Sequence, residues 1–258
     1  MAKALVVDGN SLIYRVFYAS YKQLEFYKNT GRQPTNALKL TLLILLKILK
    51  ENQYDYCLVA LDSSKKTLRH EEMADYKKDR KPMPLELVSQ LPLIEEAVHA
   101  LGMQTLKMDG IEADDIIGSF SKLMNGNQLE VDIYSSDKDM LQLVNDKTTV
   151  KLFRTGISDI LTVTQNNFKE IFHDLAPHQV NDFKGISGDS SDNLEGVKGI
   201  GPVTASKLIL EYGSLENIYN NLDNLSESIK SKFIASKEHA LLCKKLSIID
   251  SSLLENDS

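Results

Sequence analysis

A chain of 258 residues, 42% hydrophobic and 26% charged, holds enough apolar material for one large domain or two modest ones. Thirteen glycines and six prolines are too few for a collagen-like or disordered chain, and the longest apolar run, Leu40 to Leu49, falls well short of the ~20 residues a membrane span needs. The net charge of −6, from 30 Lys+Arg against 36 Asp+Glu, at first argues against a nucleic-acid partner.

Only Ala4 to Val7 is apolar before Asp8, which leaves no room for a signal peptide. Strands are expected there, at Tyr56 to Leu61, at Gln104 to Met108 and at Val131 to Tyr134, with helices between them at about 35–52, 88–101 and 112–124. Near-continuous apolar strands alternating with helices predict an α/β fold, a mostly parallel twisted sheet flanked by helices. Ligands of such sheets sit beyond the carboxyl ends of the strands, where Asp8, Asp62 and Asp137 fall. The segment from Ser63 to Met83 is basic, with Lys65, Lys66, Arg69, Lys77, Lys78, Arg80 and Lys81. Past about residue 165 the strand signal fades into short helices, at about 165–173, 177–185, 202–212, 214–222, 226–234 and 237–247. The expected organisation is an α/β core over 1–164, a helical region over 165–250 and a frayed tail over 251–258. Cys57 and Cys243 have neither metal-type nor disulfide spacing, which suits a reducing cytoplasm.

Three further acidic groups stand out: Glu112, Asp114 and Asp115 at a helix start; Asp137 and Asp139 after a strand; Asp189 and Asp192 before a glycine-rich stretch. Each alone is equally a first-turn acid opposing the helix dipole or a turn residue. If these seven converge with Asp8 and Asp62, repulsion of ~4 kcal/mol per close pair calls for hard cations. Oxygen-only ligands suit Mg²⁺ or Mn²⁺, and two such ions form the usual clamp for attack on a phosphodiester. With these nine acids set aside, 27 remain against 30 bases, so the rest of the chain is at +3 and suits a polyanion. The stretch from Gly196 to Ala205 reads either as a packing corner or as a phosphate clamp, in which Gly199 and Gly201 free main-chain N–H groups and Lys198 and Lys207 add charge.

Together these residues resemble the 5′-nuclease (flap endonuclease) family, in its bacterial branch found as the N-terminal domain of DNA polymerase I and as stand-alone 5′-3′ exonucleases. Its landmarks here are Val7-Asp8-Gly9-Asn10, Tyr14-Arg15, Asp62, Arg69-His70-Glu71, Tyr76-Lys77, Gly110 to Asp115, Ser136 to Asp139, Gly188 to Asn193 and Gly196 to Ala205. The resemblance implies a helical arch at about 63–90 and a helix-hairpin-helix-like clamp at about 185–212. It implies Asp8, Asp62, Glu112 and Asp114 around one Mg²⁺, and Asp137, Asp139, Asp189 and Asp192 around a second, with Asp115 assisting through water. Lys77 and Arg80 would lie against the scissile phosphate. Arg15, Arg69, Tyr76 and Lys81, with Lys198, Gly199, Gly201, Thr204 and Lys207 at the clamp, would meet DNA, and K⁺ would sit at the clamp. The implied partner is branched or nicked DNA with 5′ ends or flaps, in replication and repair, handled by a monomer with any polymerase acting in trans. Where relatives carry a small and aromatic pattern this chain has Ala37-Leu38-Lys39-Leu40, which alters the duplex-junction pocket. Two rivals are a PIN-type ribonuclease, which lacks clamp and arch, and a non-catalytic junction binder, which has no need to gather repelling carboxylates.

Overall fold

The computed structural model describes residues 2–63, 65–155 and 159–254. Strand β1 (Lys3–Asp8) runs straight into helix α1 (Gly9–Ala19), followed by α2 (Leu24–Thr30) and α3 (Asn36–Glu51). β2 (Tyr56–Ala60) leads through α4 (Leu68–Glu72), α5 (Leu85–Val88) and α6 (Leu91–Ala100) to β3 (Gln104–Leu106). After α7 (Ala113–Gly126) come β4 (Glu130–Ser135), β5 (Thr148–Phe153) and β6 (Ile160–Val163). The helices beyond are α8 (Phe168–Ile171), α9 (Val180–Ser187), α10 (Pro202–Tyr212), α11 (Leu215–Asn220), α12 (Glu227–Ala235) and α13 (Lys237–Ser247).

The strands lie in the order β3-β2-β1-β4-β5-β6, all parallel except β6, which returns antiparallel to β5. Because alternate residues of a strand face opposite sides, β1 serves two cores. Ala4 and Val6 pack with Ile116, Ile117 and Ile133 under α7, while Leu5 and Val7 pack with Phe17, Leu45 and Val98 under α1, α3 and α6. The chain winds outward from β1 to β2 and β3, then crosses back to β4. The resulting crevice lies between the carboxyl ends of β1 and β4. Gly9 lets α1 start directly at the end of β1, because a β-carbon there would lie 2.7 Å from Ala60 O and 2.6 Å from Leu61 Cδ2.

Four expected strands and the long helices are present; β5, β6 and α1 are additions to that expectation. The basic arch segment is less helical than expected. Its helix α4 spans five residues, and turns carry the chain from there to Arg80; Ser64 lies outside the described residues. The tail is not frayed over its first residues: Ser252 N donates to Asp250 Oδ1 at 2.9 Å and Leu253 N to Ser119 Oγ at 3.1 Å. Residues 255–258 lie outside the described residues. Among the described residues no helix is long and apolar enough to cross a membrane.

Candidate active site

The carboxyl ends of β1, β2 and β4 open into a cavity of about 940 Å³. Asp8, Asp62, Asp114, Asp137, Asp139 and Asp189 line it together with Tyr14, Arg15, Lys77, Arg80 and Lys184. Asp8 ends β1 and caps α1, accepting from Ser11 N at 2.9 Å and from Ser135 Oγ at 2.6 Å. Asp62 accepts from Ala113 N at 2.8 Å and from Asn10 Nδ2 at 3.0 Å, while its own N–H donates to Asn10 Oδ1 at 3.0 Å. Asp137 accepts from Asp139 N at 2.9 Å, which folds the chain back so that both carboxylates face the crevice. These are neutral donors, so they orient the carboxylates without neutralising them.

The electrostatics record that crowding. Burial, with the charges of Asp137 and Asp62 added, pushes Asp8 up to about 6. Burial and the charges of Asp8 and Asp137 push Asp114 well above the usual carboxylate range. Burial and Asp137 also push Asp139 upward, against the pull of Lys184. Such a cluster is short of positive charge, and its donors are all carboxylate oxygens, the set that hard divalent cations take. Oxygens of Asp139, Asp189 and Asp192 lie within 4.8 Å of one another, close enough to share one ion.

Lys184, on α9, already puts a cation there. Its Nζ contacts Asp139 Oδ1 and lies 2.6 Å from Asp189 Oδ2, and the pair holds Asp189 below its usual range despite burial. No motif marked this lysine in the sequence; its one signal is the five-residue step to Asp189. His173 was likewise unmarked and lines the cavity, its ring stacked on Phe183 at 4.7 Å.

Glu112 is joined to the arch rather than to open solvent. Thr67 Oγ1 donates to it at 3.2 Å, Tyr76 OH at 3.3 Å and Lys77 Nζ at 2.8 Å. Burial would raise its pKa, but Lys77 and Arg69 hold it below the usual range. Lys77 takes a left-handed backbone, φ 54, strained for a residue with a side chain, and its N–H donates to Asp192 O at 3.1 Å. Tyr76 OH and Arg80 Nη2 reach the two oxygens of Asp192, at 3.1 and 2.7 Å. The foot of the arch is thus clasped to the loop that carries Asp189 and Asp192.

Three expected DNA-facing residues are engaged inside the protein. Arg69 forms a bidentate pair with Asp115, 2.7 Å on each arm, and Asp115 also accepts from Asp250 N at 2.9 Å. Asp115 thus spends both oxygens on Arg69 and the Asp250 amide, while Arg69 Nη1 also lies 3.3 Å from Glu112 Oε2. Tyr76 is 3% exposed, its hydroxyl shared between Glu112 and Asp192. Arg15 lines the cavity but fastens the ends of β4 and β5 through Ser136 Oγ at 2.7 Å and the Phe153 and Arg154 carbonyls at 3.0 Å. Arg80 and Lys81 are exposed.

The glycine-rich stretch turns between α9 and α10, with Lys198, Gly199, Gly201 and Lys207 exposed and Thr204 half-buried. Gly201 caps α10 and Pro202 opens it, so the helix N-terminus faces out beside the loop N–H groups. A K⁺ ion at the Gly199 carbonyl would have to share it with Lys232. Lys232 Nζ already donates to that oxygen at 3.1 Å, and a second cation would meet a like charge.

Comparison with known proteins agrees with this architecture. Residues 3–173 match the family model of the 5′-3′ exonuclease N-terminal resolvase-like domain, and residues 175–256 that of the 5′-3′ exonuclease C-terminal SAM fold. The chain is 43% identical, over 93% of its length and 82% of the relative's, to a 5′-3′ exonuclease of Mycoplasma genitalium. It is 40% identical to DNA polymerase I of Bacillus subtilis over 96% of its own length and 28% of that protein. Its fold superposes with a TM-score of 0.76, at 22% identity and over 97% and 90% of the two chains, on the bacteriophage T5 flap endonuclease in a pseudo-enzyme–product complex with DNA and metal ions. By sequence along both its sheet-bearing and its helical parts, this chain belongs to the 5′-3′ exonuclease family.

Proposed function

We propose that the chain is a structure-selective 5′-3′ DNA exonuclease and 5′-flap endonuclease, acting with two Mg²⁺ ions, or Mn²⁺ in their place, in removal of RNA primers and flaps during replication and repair. The observation that carries this reading is the meeting, in one cavity, of Asp8, Asp62, Asp114, Asp137, Asp139 and Asp189 with Lys77 and Arg80 on the arch side. Asp8, Asp62, Glu112 and Asp114 would hold one ion, and Asp137, Asp139, Asp189 and Asp192 the other. When bound, the ions supply Lewis acidity to water and to the departing 3′ oxygen, which leaves a 5′-phosphate product.

The chain's own residues do the positioning. Asn10, Ser11 and Ser135 fix the orientation of Asp62 and Asp8 by hydrogen bonds of 2.6–3.0 Å, so the carboxylates need no rearrangement when a substrate arrives. Lys77 and Arg80, paired with Glu112 and Asp192, are cations placed to exchange those partners for non-bridging phosphate oxygens. The exposed loop at Lys198 to Gly201 and the start of α10 hold a duplex by its backbone without reading sequence. The relatives that carry a polymerase support a partner polymerase in trans, and Cys57 and Cys243, both free thiols, accord with a cytoplasmic setting.

The test is a 5′-flap duplex labelled at flap and duplex ends, incubated in Mg²⁺, Ca²⁺ or EDTA with the protein and with Asp139→Asn. Short 5′-labelled products in Mg²⁺ alone, lost in the variant while its melting temperature is kept, are expected. Near-normal cleavage by Asp139→Asn would sink the two-metal assignment. Binding without cleavage would favour a junction-recognition module, and faster cutting of a matched RNA flap would favour a ribonuclease.

A further inference from the structure

Helix α12 reaches the α9–α10 loop with two side chains one turn apart. Ser236, at the end of α12 and 6% exposed, accepts a hydrogen bond from Lys198 N at 3.2 Å. Lys232 donates from Nζ to the carbonyl of the next residue, Gly199, at 3.1 Å. Residues four apart share a helix face, so both contacts come from the same side and grip adjacent links of the loop. Gly199 lies at φ +79, and a β-carbon on it would stand 3.4 Å from both Cε and Nζ of Lys232. The lysine stem therefore lies along the bare side of that glycine. The glycine is needed for its left-handed backbone.

The Lys198 amide and the Gly199 carbonyl both point toward α12, where Ser236 supplies the acceptor and Lys232 a charged donor. We infer that Lys232 is the built-in cation of the DNA clamp. It takes the place of a bound monovalent ion at the Gly199 carbonyl, so that the loop holds its shape without K⁺. Ser236 is its companion positioning residue, fixing the Lys198 amide while Lys232 neutralises the carbonyl that follows. The inference rests on the proposed role of this loop in holding duplex DNA, but its structural part can be tested without DNA.

The test compares the full chain, Lys232→Met and Lys232→Arg at one ionic strength set by potassium, sodium or tetramethylammonium chloride. Melting temperature is read without DNA, and anisotropy with a labelled 5′-flap duplex in Ca²⁺. Expected are a wild-type melting temperature and affinity that agree, within twofold in Kd, across the three salts, with Lys232→Arg following them. Lys232→Met is expected to bind about tenfold more weakly in tetramethylammonium, and potassium should recover most of that loss and raise the melting temperature of this variant alone. Wild-type binding several-fold tighter in potassium would overturn the inference, as would wild-type-like binding by Lys232→Met or a loss that potassium does not restore. Absence of duplex binding by the wild type in every salt would refute the proposed nuclease instead, and the DNA-free melting series would still decide the role of Lys232.

Discussion

Arg69 and Asp115 face each other fork to fork, each Nη 2.7 Å from a carboxylate oxygen, with 14% and 8% of their side chains exposed. Arg69 also donates to the Leu246 carbonyl at 3.0 Å and to the Ile248 carbonyl at 2.8 Å. One guanidinium thus ties the arch helix α4 to α7, to the last turn of α13 and to the residue just beyond it. A lysine could not make these planar contacts at once. Removing one partner strands the other charge in a mostly buried place, which costs about 3 kcal/mol. Arg69→Met and Asp115→Asn should each lower unfolding stability by that amount in urea, with the double variant losing less than the sum. Asp115→Asn should keep its Mn²⁺ affinity within about threefold; a loss beyond tenfold by calorimetry would return Asp115 to the metal shell.

The crowded carboxylates make metal-free stability depend on pH in an unusual direction. Asp8, usually near 3.8, is pushed up to about 6 by burial, and Asp114 shifts the same way. Groups raised in the folded state contribute stability that is complete below the unfolded value and lost as pH rises through the folded one. For Asp8 that loss amounts to about 3 kcal/mol. Glu112 and Asp189, held low by Lys77 and Lys184, have the opposite sign, and their contribution disappears only as pH falls below the ordinary carboxylate range. In EDTA the urea midpoint should therefore fall between about pH 5 and pH 7. Saturating Mn²⁺ should flatten the slope, and a midpoint that rises with pH in EDTA would contradict it.

Lys184 and a divalent ion compete for the same oxygens. The ammonium contacts Asp139 and Asp189, and Asp192 completes a set of oxygens within 4.8 Å. Lys184→Met should destabilise the metal-free protein by about 3 kcal/mol, because the carboxylates lose their counter-charge. Mn²⁺ should then raise the melting temperature more in the variant than in the wild type, and bind it more tightly. Weaker Mn²⁺ binding by Lys184→Met would mean that lysine and ion act together rather than in exchange.

What the sequence made legible follows from where the physics is local. β1 and β2 are near-continuous apolar runs because helices cover both faces, and an aspartate at or just past a strand end marks the crevice whatever the partners are. β5 interleaves Thr149 and Lys151 with its apolar residues, and Lys151 leans on the buried Asp132 at 3.0 Å, a long-range partner that periodicity does not reveal. α1 opens on Gly-Asn-Ser and carries Ile13, Val16 and Phe17, a weak helix former that packing against α3 stabilises. At the site, residue type announced the carboxylates and the basic arch but not their pairing. That Arg69 is spent on Asp115, or Tyr76 on Glu112 and Asp192, depends on contacts across 46, 36 and 116 residues.

Asn10 shows how an uncharged neighbour can set metal affinity. Its side-chain amide donates to Asp62 Oδ2 and accepts from Asp62 N, both at 3.0 Å, so it fixes the carboxylate and the backbone that carries it. Asp62 is the exposed member of the strand-end acids, and a carboxylate open to water on one side would otherwise sample several rotamers. Loss of such an orienting partner typically weakens metal binding by about 10-fold or more. Asn10→Ala should therefore weaken Mn²⁺ binding at the Asp8–Asp62 side by about tenfold, with unfolding stability changed by less than about 1 kcal/mol because the site is open to solvent. Asn10→Asp places a third charge beside Asp62 and Asp8, so the metal-free protein should be less stable above about pH 5 and recover with Mn²⁺. Calorimetric titration of both variants beside the wild type checks this, and an unchanged Mn²⁺ affinity in Asn10→Ala would remove Asn10 from the metal-positioning set.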